Sequence, residues 1–252
     1  MLGRHHLSLS VGTAALIILP IFPAFPIAAL LAFVGTAIGS LIPDADSPDA
    51  AIFHTEVRGV GGGLSDLLNA PAPLYPVFGN VTKYLIYKPA VWFYDEVVFD
   101  QYDIGERHRG FLHSFLGLGT TVLLTAIYMI PVLLFLDLIW IEGIAIFLGA
   151  YLAGAILHLL EDSCTKSGIQ WNFPFQSWKL SGEIRTTADP SDMRYQRRLL
   201  SILGVGGAAL FLLPLVITQV PPYWFSIGGL VLAVVLWVVF AIGFAKVKVS
   251  AS

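Results

Sequence analysis

Every Lys and Arg of this chain falls in segments that would lie on one side of a membrane, and so does every histidine. Five uncharged apolar stretches set up that pattern: Leu7–Pro43, Ser114–Leu136, Gly143–Leu160, Leu199–Pro221 and Pro222–Ala245. The first is nearly twice the ~20 residues needed to cross a ~30 Å hydrocarbon core. Pro20, Pro23 and Pro26 interrupt it, so it reads as a helical hairpin, for about six transmembrane helices in all. One side then receives Arg4, the segment 43–113, the segment 161–198 and the tail with Lys246 and Lys248. The other receives three short connections, near Pro23, at Asp137–Glu142 and near Pro221, with no Lys or Arg. Positive charge marks the cytoplasmic face. The expected fold is an all-α integral membrane protein of the inner membrane, 1–252 forming one membrane-embedded domain. Both termini, Gly61 and Gly182 should then be cytoplasmic.

Composition agrees with that class and excludes others. Apolar residues make up 56% of the chain and charged residues 12%, about half the share of a soluble domain. A net charge of −3, with no stripe of cations and interleaved aromatics, gives no reason to expect nucleic acid. The single cysteine, Cys164, excludes an intramolecular disulfide framework and has no sequence context of a catalytic thiol. Arg4 before an apolar run imitates a signal peptide, but a second span follows at once and no small-residue cleavage site stands out.

Within the 43–113 cytoplasmic loop region, the Arg58–Gly63 stretch lacks the Lys-Ser/Thr of a phosphate-binding loop and reads as a linker. Residues 81–99 carry Tyr84, Tyr87, Trp92, Phe93, Tyr94 and Phe99 among Lys83, Lys88, Asp95 and Glu96. That mixture suits a helix lying in the membrane interface or a buried packing helix, broken or kinked near Pro89.

Chemistry concentrates at four helix ends: His5-His6, Asp44-Ala-Asp46 after Pro43, His108 to His113, and His158 to Asp162. Polar groups near the bilayer are costly unless partnered or functional. His158 and Asp162, four apart, share one helix face. Asp44 and Asp46 after a proline suit an extended or turn conformation in which alternate residues point the same way. His108 and His113 converge if His108 precedes its helix and Gly110 takes the bend. His6, Asp44, Asp46, His108, His113, His158 and Asp162 would supply nitrogen and oxygen without thiolate, a set suited to zinc or manganese. Seven ligands match two divalent ions with positions left for water and substrate.

These motifs carry a resemblance. Ser40-Leu-Ile-Pro-Asp-Ala-Asp-Ser47, His108-Arg-Gly-Phe-Leu-His-Ser114 and the stretch Leu152 to Asp162, followed by Thr165 to Pro174, resemble the membrane-bound, metal-dependent hydrolase family. That family is also described as LexA-binding, inner-membrane-associated putative hydrolases. A His before the first apolar helix matches as well and selects His6 over His5. The motifs are distantly similar to those of zinc-dependent phospholipase C and P1-type nucleases, whose N-terminal tryptophan ligand has no counterpart in Met1-Leu2. The resemblance implies a hydrolase. Phosphoester cleavage of a lipid or lipid-linked substrate by metal-activated water fits the headgroup depth of the clusters. Arg109, and less directly Lys166, are candidate catalytic contacts for a substrate phosphate. The competing reading is a non-enzymatic, metal-binding scaffold for a cytoplasmic protein partner. Ligands gathered at one end of the spans argue against a transporter.

Overall fold

The computed structural model describes residues 3–57, 66, 69–99, 102, 104–176, 178–185 and 194–251. The Arg58–Gly63 linker, with Gly61, lies outside them.

Helices dominate. The leading apolar run forms α1 (Gly3–Ile18) and α2 (Pro26–Gly39), and the prolines that predicted a hairpin sit at its turn. Pro20 opens a 3-10 turn, Leu19–Ile21, and Pro26 occupies the first turn of α2, where its missing N–H costs nothing. After a helical rod described below come α4 (Phe115–Phe135), α5 (Ile141–Ser163), α6 (Arg194–Val216) and α7 (Pro222–Val239), the last extended by a π-helical turn, Phe240–Phe244. Four segments are long and apolar enough to cross a membrane: Phe115–Phe135, Ile141–Ser163, Arg194–Val216 and Pro222–Phe244. The count of six is therefore not confirmed. At 1.5 Å per residue, α1 and α2 reach only about 24 and 21 Å, short of a ~30 Å core. The protein is an all-α membrane protein, with large apolar side chains such as Phe135, Val216 and Ile242 facing outward.

Although short, α1 is the most enclosed helix, wrapped by α2, α5, α6 and α7. Its Leu7 and Val11 pack with α2, while Leu9 and Leu16 pack with α6 and α7. Thr13 Oγ1 accepts a hydrogen bond from Trp237 Nε1 at 3.0 Å. The tightest contact is between α2 and α5. Gly35 and Gly39, four apart on α2, lie against the Phe147 and Tyr151 carbonyls, and Gly154 of α5 lies against Thr36. Between helices in lipid, where no hydrophobic effect drives association, such small residues allow the close packing that does.

The segment 75–98 forms one rod, α3: α-helical Tyr75–Asn80, π-helical Val81–Tyr87, α-helical Lys88–Phe93 and π-helical Tyr94–Val98. It is not broken at Pro89. The Lys88 N–H reaches back to the Lys83 carbonyl, and such a π-turn is a known way to accommodate a residue that lacks a donor. The rod packs along α4, with Tyr94 hydroxyl 3.2 Å from Thr120 Oγ1 and Tyr128 hydroxyl donating to the Leu85 carbonyl at 3.1 Å. Tyr75, Ile86 and Tyr87 are buried, while Tyr84, Leu85, Trp92 and Phe93 point outward. Of the two sequence readings, packing and outward apolar exposure are both realised, on opposite faces.

The chain returns to one end repeatedly. There Gly3 abuts Ala51, Glu183 N–H donates to the Ala245 carbonyl, and strand β1 (Trp178–Ser181) pairs antiparallel with β2 (Lys248–Ala251). All four ligand-rich clusters lie at that end.

Candidate metal centre

Three imidazoles meet below this cap. His6 comes from the first turns of α1 and His158 from the last turns of α5. His113 ends a 3-10 turn, Phe111–His113, just before Ser114 caps α4 by accepting the Gly117 N–H at 3.1 Å. All three side chains are fully buried. His6 stacks on His158 with ring centroids 3.7 Å apart, and His113 meets His158 edge-on at 5.2 Å.

Each imidazole presents Nδ1 to an oxygen and Nε2 to a common centre. His158 Nδ1 lies 2.7 Å from the Ser40 carbonyl. His6 Nδ1 is 2.7 Å from Glu161 Oε2, off the hydrogen-bond line, and His113 Nδ1 is 3.4 Å from Asp46 Oδ2. Among the described residues the three Nε2 atoms have no hydrogen-bond partner. Around them stand two carboxylates. Asp44 Oδ1 is 3.6 Å from His158 Nε2 and 3.7 Å from His113 Nε2. Asp162 Oδ2 is 3.9 and 3.7 Å from the same atoms, and Asp162 Oδ1 is 3.6 Å from His6 Nε2. Buried nitrogens left without partners cost on the order of 1–3 kcal/mol each. Nitrogen and oxygen donors grouped within 4.8 Å, with no thiolate among them, fit a divalent ion of the zinc or manganese kind.

Two sequence expectations about local geometry are corrected. Asp44 and Asp46 lie on a 3-10 turn, Ile42–Asp46, not on extended chain. At ~120° per residue, positions two apart diverge. The carboxylates therefore flank His113 from opposite sides, Asp44 at Nε2 and Asp46 at Nδ1. The bend before His113 is not Gly110's alone: Arg109 takes φ 65°, and Gly110 itself sits at φ −95°, ψ −113°, outside the helical and extended regions. The turn aims the Arg109 N–H at Asp46 Oδ2, 3.1 Å away.

Electrostatics follow the same arrangement. Burial alone would raise Asp46, but hydrogen bonds from His108 and His113 outweigh it and bring its carboxyl down to about 2. Asp44 is lowered as well, the pull of His158 and His113 exceeding the burial penalty. Burial would lower His113, yet Asp44, Asp46 and Asp162 raise it to about 9.

The remaining expected residues separate. His108 is half exposed and its Nδ1 donates to Asp46 Oδ1 at 2.8 Å, with its ring edge-on to His113. Arg109 Nη2 contacts both Asp162 oxygens, at 3.1 and 3.0 Å, and Nη1 reaches Thr165 and Ser167. Lys166 is exposed, and no described hydrogen bond or ion pair ties its side chain to the cluster. Cys164 is buried, and burial together with Glu161 and Asp162 pushes its thiol up to about 12, which suits packing and not nucleophilic attack.

Glu161 was not among the expected site residues, nor were Ser10 and the Ser40 carbonyl. Glu161 is fully buried and accepts from Ser10 Oγ at 3.1 Å. Its sequence signal was an acid next to Asp162 within the same apolar helix, obscured because adjacent helical positions face ~100° apart.

A helical membrane protein with a buried His/Asp cluster at one end of its helices is the class these observations define. The family model for YdjM inner membrane protein matches residues 1–249, and the chain belongs to that family. No curated protein and no solved structure matches it.

Proposed function

We propose that this protein is a metal-dependent hydrolase acting at the cytoplasmic membrane surface, cleaving a phosphoester of a lipid or lipid-linked substrate. The observation that carries the reading is the convergence of three buried, unpartnered Nε2 atoms on Asp44 and Asp162. It agrees with the resemblance of the three motifs to metal-dependent hydrolases. A divalent ion bound there supplies Lewis-acid charge for an ester oxygen and makes water a nucleophile near neutral pH. His6, His113, His158, Asp44 and Asp162 would hold it, with Asp46 and His108 beside them. Asp44, at 15% exposure, and half-exposed His108 mark the side from which substrate enters. Arg109 places its charge against Asp162 on that side, where an anionic substrate oxygen would approach. Exposed Lys166 adds only diffuse positive potential.

Depth supports a lipid substrate. Asp162 stands about 31 Å along α5 from Ile141, which follows Trp140 at the opposite end. That is the thickness of the hydrocarbon core, so the cluster lies level with lipid headgroups. Trp171 and Trp178 near the centre and Trp140, Tyr223 and Trp224 at the far end have the placement of interfacial aromatic girdles.

Purified protein in detergent should contain divalent metal and hydrolyse a member of a lipid phosphoester panel. Arg109→Ala should retain metal but lose roughly 10- to 150-fold in turnover, as expected for a charge-assisted contact worth about 1.5–3 kcal/mol. Metal without any turnover across the panel would put the scaffold reading ahead.

The cytoplasmic placement has its own test. Gly182 is a poor labelling position, because a Cβ there would strike the Cys164 carbonyl. Glu183, more than half exposed and paired with exposed Lys246, is a suitable replacement. A cysteine at Glu183 should stay unlabelled by an impermeant reagent in intact cells and react after lysis. Labelling from outside would reverse the topology.

A further inference from the structure

We infer that the centre holds one divalent ion, caged by Nε2 of His6, His113 and His158 with Asp44 and Asp162, and that Glu161 is the positioning residue for His6. This deepens the metal-centre reading and rests on it. Ligands ~2.1 Å from one five-coordinate ion stand about 3.0 to 3.6 Å from their neighbours in the shell. The closest carboxylate–imidazole separations here, 3.6 to 3.9 Å, with the donor triads lying within 4.8 Å, need only a modest contraction around a single ion.

A second ion, ~3.5–4 Å from the first, would need ligands of its own. Asp46 and His108 are what remains of the seven expected donors; His108 groups with Asp44 and His113 within 4.8 Å, but that group shares both of its other members with the first ion. Asp46 Oδ1 is held by His108 Nδ1 at 2.8 Å. Asp46 Oδ2 accepts the Arg109 N–H and faces His113 Nδ1. Asp46 thus stands to His113 as Glu161 stands to His6 and as the Ser40 carbonyl stands to His158. Each oxygen stands at an Nδ1, by a hydrogen bond at His158 and by close charge contact at His6 and His113, and leaves Nε2 turned inward, the arrangement by which metal-bound imidazoles are oriented. Glu161 has a second reason for its position: Ser10, one turn beyond His6 on α1, donates to its other oxygen. One carboxylate on α5 thereby sets both the rotation of α1 and the ring of His6.

The test uses full-length protein in detergent, stripped of metal and titrated with Zn²⁺ or with Co²⁺, whose visible spectrum reports coordination. Wild type should bind one ion tightly. Glu161→Gln, nearly isosteric and able to keep the Ser10 contact, should still bind one ion, about 10- to 100-fold more weakly and with a changed Co²⁺ spectrum. His108→Ala should still bind one ion, because no second ion depends on it. Two tight ions in wild type would overturn the single-ion assignment while leaving the hydrolase reading intact. Unaltered affinity and spectrum in Glu161→Gln would overturn the positioning role, even if the melting temperature fell. No binding at all by wild type would overturn the metal-centre reading itself.

Discussion

Replacing Asp162 with alanine should remove bound metal and hydrolytic turnover together. Its oxygens lie within 3.9 Å of the imidazoles of His6, His113 and His158, and Arg109 contacts both of them. The side chain is 1% exposed, so water cannot take its place without opening the helix bundle. Orienting partners of metal ligands already cost 10- to 100-fold in affinity, and loss of a direct carboxylate should exceed about 100-fold. Asp49→Ala, an exposed acid on the same end of the molecule, should change neither quantity. Metal content and phosphoester turnover on both variants, in one detergent, decide the matter. An Asp162→Ala protein with full metal and normal turnover would show that the centre is elsewhere.

The second large effect is expected far from the chemistry. Gly39→Val should collapse the yield of folded protein, because a Cβ on Gly39 would overlap the Tyr151 carbonyl. Backbone cannot rotate away as a side chain can, so α2 must leave α5. The penalty should exceed the ~1–3 kcal/mol of ordinary overpacking. Metal binding should fail in whatever fraction survives, since α2 leads into Asp44 and its Ser40 carbonyl holds His158. Gly149→Ala is the control: it lies on α5 with nothing within 4 Å of its added carbon. It should be neutral, or more stable by up to about 1 kcal/mol from helix propensity. Thermal unfolding and monodisperse yield in detergent measure both. A well-folded Gly39→Val protein would mean that α2 and α5 do not pack as closely as described.

The carboxylate and imidazole types at four helix ends were legible because charged or titratable residues beside apolar runs are too costly to be incidental. His158 and Asp162 could be paired from sequence since a helix has one period. Asp44 and Asp46 could not, because a turn after proline admits several geometries, and the 3-10 form chosen sends them to different sides of His113. Arg109 illustrates the same limit. Its charge was visible, but a positive φ at that residue, and the reach of its guanidinium to Asp162, depend on contacts across 53 residues of chain.

Lys83 and Lys88, which flank Leu85 against Tyr128 about 20 Å along α4, do not share the end that the charge pattern assigned them. Hydropathy by itself determined that this is a helical membrane protein, roughly where its apolar helices lie, and that its candidate ligands sit at helix ends. Those are properties of single segments, set by transfer energy and local propensity. Only the tertiary structure decided that α1 and α2 stop short of a full span yet occupy the interior. It likewise decided that Gly35 and Gly39 fit against α5, and that Glu161 faces His6 instead of water. Those outcomes depend on which helix faces meet, a long-range packing choice that no single segment encodes.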